Sequence, residues 1–98
     1  MTGRELAEQV AEEFGTREIG QLARRSGLSI RLGRWTPVTA GELDVAANEI
    51  TVNEDAEVEP ERIVAHELGH YFIRSKSIVC TDAEKFCDDF ADAIMAKT

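Results

Sequence analysis

Ala65-His66-Glu67-Leu68-Gly69-His70-Tyr71 is the stretch from which the rest of the chain can be placed. It contains the pattern His-Glu-x-x-His, and the spacing has a physical reason. On an α-helix, residues i and i+4 lie one turn apart on one face. Two imidazoles so placed can reach one Zn²⁺ at about 2.0–2.1 Å. Glu67 follows the first histidine on the flank of that face, where its carboxylate can serve as a general base without filling a coordination position. His66 and His70 are the only two histidines among 98 residues. Two solvent-facing histidines beside an incidental glutamate would give the same letters, so the surrounding chain has to supply what a metal site still lacks.

The helix around this motif starts at Pro60, whose missing N–H is harmless in a first turn. At about 100° per residue, Val64, Leu68 and Phe72 point towards a sheet, while Ile63, His66 and His70 point elsewhere, with Glu67 on the border. Gly69 costs roughly 1 kcal/mol of helix propensity, which close approach of another backbone would explain. After a loop over Arg74–Thr81, Thr81 or Asp82 caps a last helix running from Ala83 to about Lys97. Its apolar stripe is Ala83, Cys87, Phe90 and Ile94, and Glu84 and Asp88 share the next face.

Upstream, Thr2-x-x-Glu5 is a capping box opening a first helix with Leu6, Val10 and Phe14 inward, ended by Gly15. Thr16 is placed to cap a second helix carrying Ile19, Leu22 and Ala23 inward and stopping near Gly27. Leu28–Leu32 alternates as a strand with one buried face. Gly33–Gly41 reads as a loop holding Pro37 and the single tryptophan, Trp35, which by default covers the core. Glu42–Ala46 and Glu49–Val52 alternate again, and the Ala47-Asn48 link suits an antiparallel hairpin. The expected fold class is therefore α+β: two N-terminal helices, a small three-stranded twisted sheet, the His-Glu-x-x-His helix and a C-terminal glutamate helix, in one domain spanning 1–98.

Catalytic zinc usually takes three protein ligands and leaves a fourth position open. With no third histidine, the remaining ligand has to be a carboxylate or a thiolate. Glu84 is the best placed, on a helix that can fold back over the motif, and Asp88 one turn later can accept the spare ring N–H of a ligating histidine. Thr81-x-x-Glu84 is also a capping box, which would give Glu84 a purely structural task. Cys80, in the preceding loop, is the thiolate that could close the site, and Cys87 reads as a small buried hydrophobe. For a donor to an oxyanion, Tyr71 faces the sheet, leaving Arg74, one turn after His70.

The apolar and charged fractions, 43% and 31%, are ordinary for a globular protein. A net charge of −8 argues against a nucleic-acid surface, so Arg17, Arg24 and Arg25 read as a solvated face. It would suit a basic partner or simply aid solubility. No stretch approaches a membrane span, and the opening residues lack a signal-peptide pattern, which leads to the cytoplasm as the expected location.

His66-Glu67-Leu68-Gly69-His70 followed by Glu84-x-x-x-Asp88 is similar to the gluzincin arrangement, in which a glutamate helix supplies the third ligand. More closely, the chain resembles the ImmA/IrrE-type metallopeptidase domain and the minimal gluzincins. The likeness runs through Ile19-Gly20-Gln21-Leu22-Ala23, Gly27-Leu28-Ser29-Ile30, Ile50-Thr51-Val52-Asn53, Arg62-Ile63-Val64-Ala65 and Glu84-x-x-Cys87-Asp88-x-Phe90-Ala91. The resemblance implies a zinc peptidase with ligands His66, His70 and Glu84, general base Glu67, and a protein or peptide substrate laid along an edge strand. Some relatives cut a repressor protein, often one encoded nearby. The alternative from another class is a catalytically silent zinc domain, with a fully ligated site, that docks a protein partner.

Overall fold

The computed structural model describes residues 1–34 and 40–96. Among these, α1 (Gly3–Phe14), α2 (Ile19–Arg25), β1 (Ser29–Gly33), β2 (Gly41–Asp44), β3 (Glu49–Asn53), α3 (Pro60–Ser75) and α4 (Ala83–Ile94) follow in order. The chain is α+β, with four helices and a small mixed sheet. Trp35 and Pro37 lie outside the described residues, and α4 ends at Ile94 with Met95 as its cap, short of the expected run to about Lys97. No described helix is long and apolar enough to cross a membrane.

The expected capping box forms in α1: Thr2 Oγ1 accepts from the Glu5 amide, and Glu5 Oε1 accepts from the Thr2 amide. Gly15 ends the helix at φ 68°, a left-handed conformation that favours glycine. The cap of α2 is Glu18, not Thr16. Its carboxylate accepts from the amides of Gly20 and Gln21, where a negative charge also suits the helix dipole, while Thr16 Oγ1 accepts from the Glu18 amide. Two of the three arginines expected on a solvated face brace helix ends instead. Arg17 donates to the Ala93 carbonyl and pairs with Glu8, and Arg25 donates to the Phe14 carbonyl.

The strand order is β1-β3-β2. β2 and β3 are antiparallel, as the short link between them predicts, but the turn is Val45–Asn48, because β2 stops at Asp44, whose carboxylate accepts from the Ala47 amide. β1 runs parallel to β3 with Ile30 opposite Ile50 and Leu32 opposite Val52. The expected buried face of β1 is not there: Ile50 and Val52 are fully buried, whereas Ile30 and Leu32 are 42% and 57% exposed. The cause is the reach of the helical layer. α3 packs mainly across β3 and β2, while β1 meets the short α2, which does not cover Ile30 and Leu32.

Beneath and beside the sheet, α4 packs between α1 and α3. Val64 and Leu68 are buried as expected. Phe72, expected against the sheet, sits between aromatic rings of the two other helices, with centroids 6.0 Å from both Phe14 and Phe90. α4 buries Phe86 and Ala91 in addition to Cys87, Phe90 and Ile94, and Ala83 is only half-buried. Truncating a ring such as Phe90 to alanine would cost about 3–5 kcal/mol. That core fixes how α3 and α4 lie on one another, and so where the side chains of their outer faces meet.

Candidate metal centre

Asp82 caps α4, accepting from the Lys85 amide. Glu84 is therefore not the partner in a Thr81 capping box, and its carboxylate is free to turn towards α3. Its Oε2 lies 2.8 Å from His66 Nε2 and its Oε1 3.0 Å from His70 Nε2. Ligands of a tetrahedral zinc stand roughly 3.4 Å apart, close to these separations. Two imidazole nitrogens and a carboxylate are a zinc donor set, so these residues fit that ion. Asp88 Oδ1 lies 2.9 Å from His66 Nδ1, where accepting the ring proton leaves the Nε2 lone pair for a metal.

Glu67 competes formally for the third position, since one ligand atom each from His66, Glu67 and His70 lies within 4.8 Å of the others. Glu84 is the better ligand because its two oxygens already span both rings. Glu67 is instead half-buried beneath the start of β2, where a Cβ on Gly41 would lie 3.6 Å from Glu67 Cγ. Burial raises its carboxyl above the ordinary value; the His70 and His66 rings oppose that, and the charges of Glu84 and Glu42 add to it. A carboxylate whose affinity for a proton is raised, beside the two rings, suits the uptake and return of a proton.

These groups line an open cleft of about 710 Å³. Ala40 and Gly41, at the head of the edge strand β2, form one wall. Ile63, grouped with the histidines from the helical pattern, does line the cleft but is itself buried under Gly41. Neither Arg74 nor Cys80 lines it. Arg74 is exposed near the end of α3, and Cys80 packs half-buried against the core. Tyr71 points away, its hydroxyl donating to the Ser26 carbonyl at the end of α2. The cation in the cleft is Arg62, which donates to Asp92 and to the Asp88 carbonyl. Sequence reasoning assigned it no role, although its place one turn before His66 was a usable signal.

Compared with known proteins, the chain matches no family model, and no curated protein or solved structure is significantly similar to it.

Proposed function

We propose that this chain is a zinc-dependent metallopeptidase of the minimal gluzincin type, hydrolysing peptide bonds in a protein or peptide substrate. The observation that carries this reading is the single Glu84 carboxylate meeting both His66 and His70, with Glu67 beside them in an open cleft. In this reading His66, His70 and Glu84 hold the ion and Asp88 keeps His66 in the required tautomer. When bound, zinc would supply a Lewis acid at these residues. Glu67 takes a proton from the attacking water and returns it to the leaving amine. Among the described residues β2 is an edge strand beginning beside Glu67, so an extended peptide can add there as a further strand.

The test uses untagged protein. Elemental analysis should find about one zinc per chain, held by a donor set of this kind. Mass spectrometry of incubated peptide mixtures should show cleavage by the wild type. Glu67→Gln should lose at least about 10²-fold in rate while retaining zinc. A repressor protein is the first individual substrate to try, as the family resemblance suggests. Absence of zinc, zinc without any hydrolysis, or full activity in Glu67→Gln would overturn the proposal.

A further inference from the structure

His66 is the middle member of a ladder between two helices. On α3, Arg62, His66 and His70 recur every four residues and so share one face. On α4, Glu84, Asp88 and Asp92 do the same. The two rows run in opposite directions and mesh. Glu84 spans His70 and His66. Asp88 faces His66 at 2.9 Å and Arg62 Nη2 at 3.9 Å. Asp92 pairs with Arg62 Nη1, and Arg62 Nη2 also donates to the Asp88 carbonyl at 3.3 Å.

We propose that Arg62 is a positioning residue of the metal centre: within the register that the apolar core gives α3 and α4, its grip on Asp88 and Asp92 holds the Asp88 carboxylate on His66. The inference rests on the metal-centre reading above. Arg62 is the only arginine or lysine lining the cleft among the described residues, which would suggest an anchor for a substrate carboxylate. Both its terminal nitrogens are already engaged by α4, which argues for the positioning role instead. A staple for fold stability is a poor alternative. The Asp92 and Asp88 side chains are 68% and 58% exposed, and ion pairs so open to water contribute little. A planar guanidinium can meet two carboxylates at once, which a lysine ammonium does less well.

The experiment measures zinc affinity by competition with a chromophoric chelator, alongside the melting temperature of the metal-free protein. Asp88→Asn should weaken zinc by about 10- to 100-fold, as loss of a histidine's outer partner does. Arg62→Gln should weaken it by about 3- to 10-fold, a smaller effect because it acts through Asp88. Arg62→Lys should recover part of that loss. In the double variant, Arg62→Gln should add nothing to Asp88→Asn, since its route is already cut. Metal-free melting should barely change in Arg62→Gln. Were that variant to misfold, Asp92→Asn removes the same rung from an exposed position and should weaken zinc in the same direction. Unchanged affinity in the Arg62 and Asp92 variants, or fully additive losses in the double, overturns the inference. Wild-type protein that binds no zinc overturns the underlying metal-centre reading instead.

Discussion

Gly69 and Cys87 touch where α3 crosses α4: a Cβ on residue 69 would stand 2.9 Å from the Cys87 sulfur and 3.1 Å from its Cα. The absent side chain lets the two helices approach closely. Gly69 adjoins His70 and lies within one turn of His66, and Cys87 lies within one turn of Glu84, so this close approach keeps the Glu84 carboxylate within reach of both rings. Gly69→Ala should gain about 1 kcal/mol of helix propensity but lose about 1–3 kcal/mol to overpacking. The expected outcome is a net destabilisation in denaturant titration together with weaker zinc binding. Cys87→Ala added to it should restore only part, because the Cys87 backbone remains in the way.

The ligand assignment predicts a graded series. Glu84→Gln should abolish stoichiometric zinc, since an ion in this donor set loses its only carboxylate. Asp88→Asn should retain zinc with affinity lower by about 10- to 100-fold. Metal added to wild-type protein should raise the melting temperature, and a chelator should reverse that shift, as binding to the folded state alone requires. Elemental analysis and calorimetry check both; equal zinc content in Glu84→Gln and wild type would contradict the assignment.

Gly41 allows β2 to lie against α3 beside Glu67. A Cβ there would fall 2.4 Å from Ile63 Cγ2 and 3.2 Å from the Thr51 carbonyl oxygen. Gly41→Ala should cost about 1–3 kcal/mol of stability and lower peptide cleavage by displacing the strand edge from Glu67. Zinc content should stay near that of the wild type, because no ligand comes from β2.

The two thiols should behave differently. Cys87 is fully buried, and its thiol is pushed up to about 12, by burial first and then by the charges of Glu84 and Glu67. An alkylating reagent near pH 8 should label half-buried Cys80 in the native protein and reach Cys87 only as the protein unfolds. The ordinary thiol value is 9.0, so the unfolded state releases its proton first. The contribution of Cys87 to stability is therefore complete below about pH 9 and is lost as pH rises towards about 12. Cys87→Ala should show a shallower fall in unfolding free energy over that window than the wild type does.

Much of the site is local and was therefore legible in the letters. A 3.6-residue period suffices to put His66 and His70 on one face of α3 with Glu67 on its border, and to pair Glu84 with Asp88 on α4. The same locality fixed the Thr2–Glu5 cap and the end of α1 at Gly15. The cap expected at Thr16 lies two residues early, because the Glu18 carboxylate takes the amides of Gly20 and Gln21, while of the two candidates Thr81 and Asp82 the structure selects Asp82 for α4. The role of Arg62 escaped notice because its partners, Asp88 and Asp92, lie 26 and 30 residues away.

The sequence by itself determined that His66, Glu67 and His70 share one helix and Glu84 and Asp88 the next, and which of them lie one turn apart, since backbone periodicity follows from steric limits within a few residues. Only the tertiary structure decided that β1 runs parallel to β3 and leaves Ile30 and Leu32 uncovered, and that Glu84 meets both rings. Those outcomes depend on how far one helix layer extends and on how closely Gly69 admits Cys87. Both are settled by packing between segments distant in the chain, where no local period carries the information.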